Sequence, residues 1–468
     1  MNLDEHIPQL KQFRQEVYQN FNKRADTMMN LLDALSSNTS ANTVVELSLN
    51  PAFRREYSSL FTALDEWEPD KSVKNLAQLA GPYLPKPAKQ PFWLIGTDVT
   101  PQPRIHAPTL EDRSYVYQPN TIKSNKPITV GHAYSSVVLF PEEESEHSPI
   151  WVVPLSVKRA TSSQDKEMVG AKQVGRLLDD ETLPFHDELC VEVEDSGYSK
   201  PAFLAENRKK ANLVTIVRAR NTRVFYQQPS DLSSDKAAGH PTWYGPRFVL
   251  SDENTWPVPE ATETTKMVSL SGRTYQVVIE AWDNMLMKGE RKPAILSMQE
   301  YPFRLVRIRL FNEQGELAFQ RPLWLIVMGE QRNELSLLQI FHAYQRRYDL
   351  EHFFRFGKQR LLLHRYQTPE TDHEEKWWQL AHLAYLQLWI ARTAAQAVPR
   401  PWEVPPANDA KQPLSATHVQ RDFGRIIRQI GTPAAEPKRR GNSPGRRKGT
   451  VLPHRLHQPV VYKGKNDS

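Results

Sequence analysis

Residues 344–358 read Tyr-Gln-Arg-Arg-Tyr-Asp-Leu-Glu-His-Phe-Phe-Arg-Phe-Gly-Lys, and their spacing is typical of a helix with two distinct faces. A helix turns by about 100° per residue, so steps of three, four and seven residues bring four polar side chains into an arc of roughly 60°. These side chains are Tyr344, Arg347, Glu351 and Lys358. Another arc is apolar and contains Leu350, Phe353, Phe354 and Leu361. The pattern predicts a helix that packs on a core and presents one carboxylate among several cations.

The polar arc has an ordinary explanation and a functional one. Arg347 and Glu351, four residues apart, could form a surface ion pair worth a few tenths of a kcal/mol. The complete spacing resembles the Tyr-Arg-Glu-Lys helix signature of insertion-sequence transposases of the DDE type, which cut DNA with three carboxylates. This resemblance implies that Glu351 is one of those carboxylates. It also implies that Tyr344, Arg347 and Lys358 contact DNA phosphates, a role that suits their hydrogen-bond donors.

The same resemblance requires two upstream aspartates, each at the end of a strand. Residues 91–98 read Pro-Phe-Trp-Leu-Ile-Gly-Thr-Asp, an apolar run that predicts a buried strand ending at Asp98. Residues 189–195 read Leu-Cys-Val-Glu-Val-Glu-Asp and predict a second strand ending at Asp195, where Ser196-Gly197 breaks the pattern. A lone aspartate at a strand end is commonly only a turn former, and that alternative stays open for each of them.

The order of elements around these acids predicts the fold. Apolar runs at 128–140 and 150–157 follow the first strand, and then come a helical segment at 166–178, the strand 189–195, a helix at 200–210 and a strand at 213–217. This order resembles the RNase H-like core of transposases and integrases, in which the first acid ends the first strand and the second acid ends the fourth. We therefore expect an α/β protein with an RNase H-like mixed-sheet core, a β-rich insertion and flanking helical regions.

The insertion is predicted from the long gap before the helix that carries Glu351. Within this gap, Tyr275–Trp282, Phe303–Phe311 and Glu316–Gln320 alternate with a period of two, which predicts β-hairpins. In the resembled family such an insertion can stack a Trp on a DNA base; the candidates are Trp243, Trp256 and Trp282, and a buried core role is the alternative for each. The predicted regions are a helical region that could bind DNA ends (1–85), the first part of the catalytic core (86–220), the insertion (221–332), the core helices (333–398) and a Pro-rich linker with a basic tail (399–468).

The expected chemistry is phosphodiester cleavage, which must activate a water or a 3′-hydroxyl and neutralise charge on the leaving oxygen. Two divalent ions about 4 Å apart can do both, and Mg²⁺ prefers oxygen ligands. We therefore expect Asp98, Asp195 and Glu351 to hold Mg²⁺ in a two-metal site, with Mn²⁺ as an alternative ion.

Composition is consistent with a DNA-binding protein. The net charge is +6, and the segment from Glu436 onward alone carries nine Lys and Arg against two acids, a net charge of +7. This predicts a tail that contacts phosphates, although a solvated tail that aids solubility is the alternative. Cys190 is the single cysteine, which excludes intrachain disulfides and cysteine-clustered zinc sites. Since no run approaches the roughly 18 apolar residues of a membrane span, we expect a cytoplasmic, nucleoid-associated protein.

The sequence thus favours a cut-and-paste transposase. It would bind double-stranded DNA at the terminal inverted repeats, as a homodimer in the DNA complex, and join the cut ends to target DNA. Two alternatives remain open: a metal-dependent nuclease of the same fold that cuts without joining, and a catalytically silent DNA-binding protein descended from a transposase.

Overall fold

The computed structural model describes residues 3–117, 127–142, 148–229, 243–269, 272–290, 296–397, 414–438, 448–451 and 454–462. The helices within these ranges are α1 Leu3–Asn20, α2 Ala25–Ser36, α3 Tyr57–Glu66, α4 Leu76–Ala80, α5 Lys166–Leu178, α6 Pro201–Asn207, α7 Leu337–Arg346, α8 Tyr348–Arg360, α9 Thr371–Ala397 and α10 Ala416–Ile430. The strands are β1 Trp93–Pro103, β2 Ser114–Tyr117, β3 Ile128–Leu139, β4 Val153–Ala160, β5 Cys190–Glu194, β6 Leu213–Ala219, β7 Val224–Tyr226, β8 Arg247–Val249, β9 Ala261–Val268, β10 Thr274–Met285, β11 Phe303–Phe311 and β12 Leu323–Met328. No described helix is both long and apolar enough to cross a membrane.

Ten of these strands form one mixed sheet in the order β2-β3-β1-β5-β6-β12-β11-β10-β9, with β4 also paired to β3. β5 lies parallel to both β1 and β6, whereas β3 and β4 are antiparallel. The stretch β4-β3-β1-β5-β6, with α5 and α6 in the connections, is the RNase H-like arrangement that the order of elements predicted. The insertion continues the sheet from β6 outward through four antiparallel strands.

The described chain divides into two compact units. The first unit contains residues 1–85, 99–166 and 351–468, and the second contains residues 86–98 and 167–350. In the first unit α9 is the central helix and packs on α1, α2, α10 and β4. Its apolar residues are buried, among them Trp377, Trp378, Leu383, Tyr385, Leu388 and Trp389.

The hydrophobic core of the second unit is formed by the central strands of the sheet and the helix that packs on them. α7 packs against β5 and β10, and the central strands β5 and β6 are buried along nearly their whole length. An aromatic cluster of Phe248, Trp256, Trp282 and Trp324 fills the insertion, with ring centroids between 5.1 and 6.5 Å apart. The insertion is therefore packed on its own aromatic core.

The structure corrects the predicted end of the first strand. β1 does not stop at Asp98 but continues to Pro103. Its first part pairs with β5 as far as Gly96, and its second part lies against β3, where a Cβ added to Gly131 would be 2.0 Å from the Gln102 carbonyl oxygen. Because β3 lies against this second part, the strand persists beyond the acid that was expected to end it.

Two further elements differ from the sequence expectations. The turn after β11 forms as predicted, with Gly315 at φ +80°, but Glu316–Gln320 is not a strand, and β12 pairs with β11 instead. α10 was not predicted and lies within the segment 399–468 that was expected to be linker and tail. The linker itself, Pro399–Pro413, lies outside the described residues, as do many of the tail's basic residues. The predicted region boundaries remain predictions.

Candidate active site

The register of β1 and β5 brings two of the predicted acids together. Gly96 pairs with Val193 in the parallel ladder, and continuing that register by two residues places Asp98 beside Asp195. Neighbouring strands lie about 4.8 Å apart, and paired residues project to the same face of a sheet. Both acids are half-buried. The sheet therefore presents two carboxylates at the carboxyl end of its central parallel pair.

Asp195 is held by a tight turn that follows β5. Its side-chain oxygen Oδ1 accepts a hydrogen bond from the Gly197 backbone N–H at 2.7 Å and so caps the 3₁₀ turn Ser196–Tyr198. A Cβ on Gly197 would lie only 2.9 Å from the same oxygen. The glycine thus lets the backbone approach the carboxylate closely, and the hydrogen bond orients it.

Two more carboxyl groups lie inside β5. Glu192 and Glu194 are fully buried and hydrogen-bonded to each other. Glu192 accepts the Thr97 hydroxyl at 2.9 Å, and Glu194 accepts the Thr97 backbone N–H at 3.1 Å. Burial raises the pKa of both groups, and for Glu194 the charges of Glu192, Asp98 and Asp195 raise it further. The shared hydrogen bond and the raised pKa values indicate that the pair holds a proton.

Negative charge is in excess at this end of the sheet. Burial raises the pKa of the Tyr198 hydroxyl, and the charges of Glu194, Asp98 and Asp195 add to the effect. The Tyr198 hydroxyl and Glu194 Oε2 are buried without a hydrogen-bond partner in the described structure. Asp98 and Asp195 offer the oxygen ligands that a hard divalent cation prefers, so these two residues fit such an ion. Within the described ranges, however, no three His, Cys, Asp or Glu side chains are grouped so as to hold a metal ion.

The predicted single helix over 344–358 is divided in the structure. α7 ends at Arg346 and α8 begins at Tyr348, and Arg347 between them has helical φ and ψ of −52° and −32°. The backbone N–H groups of Arg347 and Leu350 bond three residues back, at 3.2 Å each, which tightens the chain at this point. The residues of the polar arc therefore lie on two successive helices. The residues of the apolar arc, Leu350, Phe353, Phe354 and Leu361, are buried as predicted.

Within the second unit, Tyr344 is a buried residue whose pKa is affected by Arg347 and by the acids at the end of β5. Tyr344 is 8% exposed, and burial raises its pKa to about 12. Arg347 and Arg218 lower that pKa, whereas Asp195 and Glu194 raise it. The Tyr344 hydroxyl thus lies in the field of the β5 acids as well as that of two arginines, which is a more enclosed position than an exposed phosphate ligand would have.

Glu351 and Lys358 lie on α8 in the part of the helix that belongs to the first unit, and both are half-buried. Lys358 lines a pocket of about 550 Å³ with His364 and Arg365. Burial lowers the pKa of His364 to about 3, and the charges of Lys358 and Arg365 contribute to this shift. The imidazole is therefore neutral at pH 7, and the pocket's charge comes from one lysine and one arginine.

The three candidate stacking tryptophans differ in exposure. Trp282 is 1% exposed and donates its indole N–H to the Pro257 carbonyl at 2.8 Å, so it is a core residue. Trp256 is half-buried and donates to the Val249 carbonyl at 2.7 Å. Trp243 is 44% exposed. Of the three, Trp243 presents the largest exposed surface for a base.

Sequence reasoning missed Glu192, Glu194, Gly197 and Tyr198 as parts of this region. The two glutamates alternate with valines, and such alternation normally indicates a strand with one solvent-exposed face. The signal that could have found them is the β-α-β context, because a central parallel strand is covered on both faces. Polar residues in such a strand must then be buried.

The sheet order and the paired acids at its central strands define an RNase H-like core of the DDE type. A family model described as DDE superfamily endonuclease matches residues 16–282, which is more than half of the chain, and the protein belongs to this family. The matched residues include Asp98 and Asp195, whereas the segment with Tyr344, Arg347, Glu351 and Lys358 lies beyond them. No curated protein matches the chain.

Proposed function

We propose that this endonuclease-family protein is a cut-and-paste DNA transposase, which binds the terminal inverted repeats of an insertion sequence, cleaves the DNA at their ends and transfers the strands to target DNA. The observation that carries the proposal is the pair of Asp98, on β1, and Asp195, immediately after the adjacent parallel strand β5. Transposition, as distinct from cleavage alone, is supported by the Tyr-Arg-Glu-Lys spacing of residues 344–358. The protein would act as a homodimer on nucleoid DNA.

Asp98, Asp195 and Glu351 are the proposed ligands of Mg²⁺, or of Mn²⁺ in its place, in a two-metal site. When bound, the ions would supply Lewis acidity that activates the attacking oxygen and neutralises charge on the leaving oxygen. The Gly197 N–H keeps the Asp195 carboxylate oriented before any ligand arrives. The buried Glu192–Glu194 pair, bonded to the Thr97 backbone and hydroxyl, holds β1 in place one residue before Asp98.

The cationic side chains of the polar arc would bind the DNA phosphates. Lys358, together with Arg365, lines a pocket that carries two positive charges and a neutral histidine, so an anion can enter it without facing a carboxylate among the lining residues. Arg347 offers the planar fork that binds phosphate with two hydrogen bonds. Tyr344 would donate its hydroxyl, which stays protonated because its pKa is near 12.

The test is cleavage of a labelled duplex that carries the terminal repeats flanking the gene, with Mg²⁺ in the buffer. Wild type is expected to cut at the repeat boundary and to join the 3′ end to a second duplex. The variants Asp98→Asn and Glu351→Gln are expected to bind the same duplex and leave it intact. Asp187→Asn is the matched control, because this aspartate of the second unit has a side chain that is 92% exposed, and it should cut normally.

The possible outcomes separate the alternatives. Cutting without joining would identify a nuclease rather than a transposase. Binding without cutting, in Mg²⁺ and in Mn²⁺, would identify a silent DNA-binding protein. Equal cutting by Asp98→Asn and wild type would remove Asp98 from the site.

A further inference from the structure

A second polar groove lies in the first unit, between α2 and α10. Its volume is about 1160 Å³, and its walls come from α2, the loops around residues 37–54, and α10. We call it the α2–α10 groove. None of the residues proposed for the active site lines it. The proposed reaction therefore assigns no role to this large concave surface.

One wall of the groove is an arginine stripe on α10. Arg421, Arg425 and Arg428 are spaced by four and three residues, which brings them within an arc of roughly 60°. The opposite face of α10 is buried through Val419, Phe423 and Ile426 and packs on α9 and α2. The packing therefore holds the arginine stripe toward the groove, where Arg421 and Arg428 are exposed.

The acids of the groove leave this stripe undercompensated. Asp33 is paired with the buried Arg14, and Glu436 is paired with Arg54. Glu46 also lines the groove and accepts the Asn42 backbone N–H at 2.6 Å, so it offsets one positive charge of the stripe. Asp422 lies 3.9 Å from Arg425. For Arg421 and Arg428, no ion-pair partner lies among the residues that the structure describes. Two arginines on one helix face thus present charge that an external anion can neutralise.

Asn30 provides an independent sign of a ligand. It lines the groove, is 1% exposed, and in the described part of the chain neither its amide nitrogen nor its amide oxygen has a hydrogen-bond partner. Leaving a buried amide unsatisfied lowers stability, because the group has lost its hydrogen bonds to water without gaining others. Such a group in a groove wall indicates a site whose hydrogen bonds are completed by something bound there.

The basic tail leaves from the rim of this groove. Glu436 lines it, and Lys438, two residues later, is exposed. The following sequence adds Arg439, Arg440, Arg446, Arg447 and Lys448, whose positions lie largely outside the described residues. In the sequence, the most basic segment of the chain therefore begins at Lys438, shortly after the last arginine of the stripe, Arg428.

We infer that the α2–α10 groove is a second DNA-binding surface, which holds the sugar-phosphate backbone of duplex DNA through Arg421, Arg425 and Arg428 and donates a hydrogen bond to it from the Asn30 amide nitrogen. The inference rests on the proposed function only in taking DNA as the ligand. Phosphate contacts of this kind add affinity without reading the base sequence. The groove would therefore hold DNA of any sequence.

The test is binding of a fluorescent 40-base-pair duplex without repeats, measured by anisotropy in EDTA over a series of salt concentrations. The variant Arg421→Ala/Arg425→Ala/Arg428→Ala removes three phosphate contacts. Each contact contributes about 0.9 to the slope of log K against log salt, so the variant's slope should be shallower by roughly 2.7. An unchanged slope would overturn the inference.

Two control variants keep the test specific. Lys11→Ala/Lys23→Ala/Lys71→Ala removes the same charge from exposed positions outside the groove and should leave the slope nearly unchanged. Asn30→Leu replaces the unpartnered amide with an apolar group of similar size. If Asn30 does not contact DNA, binding should be unaltered, whereas the inferred contact predicts weaker binding. In both cases replacing an unsatisfied buried amide should not lower the thermal stability, so a loss of binding cannot be attributed to misfolding.

The outcome is independent of whether the protein cuts DNA. If the wild type binds DNA with the steep salt dependence but never cleaves it, the proposed catalysis is refuted and the inference about the groove is not. A wild type that cleaves, with a triple variant whose salt slope matches it, would sink the groove alone.

Discussion

The substitution Gly197→Ala tests whether the turn after β5 positions a catalytic carboxylate. The added methyl would lie 2.9 Å from Asp195 Oδ1, about half an ångström closer than an ordinary contact, and the nearest other group is Glu167 Oε1 at 3.7 Å. Gly197 does not have a positive φ, so alanine fits the backbone, and the clash falls on the carboxylate itself. Asp195 must then rotate away and weaken its 2.7 Å hydrogen bond to the Gly197 N–H.

The magnitude follows from that hydrogen bond. A bond to a charged group contributes about 1.5–3 kcal/mol, which corresponds to roughly 10- to 100-fold in rate if all of it is lost from the reacting geometry. We expect kcat for cleavage to fall by that factor while the Kd for DNA changes little. The assay is single-turnover cleavage of the terminal-repeat duplex at saturating enzyme.

The matched control is Gly175→Ala in α5, where a Cβ would meet Lys210 Cε at 3.5 Å, an ordinary contact. This variant should cut at the wild-type rate. If Gly197→Ala also cut at the wild-type rate, the orientation of Asp195 by this turn would have no part in the reaction. A loss of thermal stability in Gly197→Ala without a loss of rate would point to the same conclusion.

Two further predictions concern the buried polar groups of the first unit. Burial lowers the pKa of His382 from 6.5 to about 4, so the unfolded chain takes up the proton first as pH falls, and about 3 kcal/mol of stability present above pH 6.5 is lost on the way down to about pH 4. In thermal melts between pH 7 and pH 4.5, His382→Gln should therefore show a smaller fall in Tm than wild type. Parallel curves of Tm against pH for the two proteins would refute this. Glu374→Gln should lower the free energy of unfolding by about 3–5 kcal/mol in urea titrations, because it leaves the buried Arg104 guanidinium without its carboxylate partner. The neighbouring Glu375→Gln breaks a more exposed pair with Arg159 and should cost about 1 kcal/mol or less. Equal losses would contradict the buried-pair argument.

Much of the core could be predicted from the sequence because local patterns and tertiary context agree there. α5 forms over the predicted residues, and β5 ends immediately before Asp195, where Ser196 and Gly197 supply a turn. The family match confirms the DDE-type resemblance that these elements suggested. In these segments the hydrophobic period, the turn residues and the sheet position all favour one structure.

The failures have a common physical cause, which is dependence on a distant partner. Whether β1 ends at Asp98 or at Pro103 depends on β3, which lies against its second part. Whether Glu316–Gln320 or Leu323–Met328 pairs with β11 is decided by β6, which offers an edge to β12. The sequence period is continuous across the junction at Arg347, so the local pattern did not predict the division between α7 and α8.

The most informative mismatch between pattern and structure is the composition of β5. A strand with parallel neighbours on both sides is normally almost entirely apolar, yet this one carries Glu192 and Glu194 with both side chains fully buried. Two carboxyl groups in that position lower stability, and apolar residues would pack there without the penalty. Sequences break such local rules mainly where function requires it. Because the penalty falls in the strand that leads to Asp195 and beside the strand that carries Asp98, it supports the proposed active site at this end of the sheet, independently of any resemblance in the helix at Glu351.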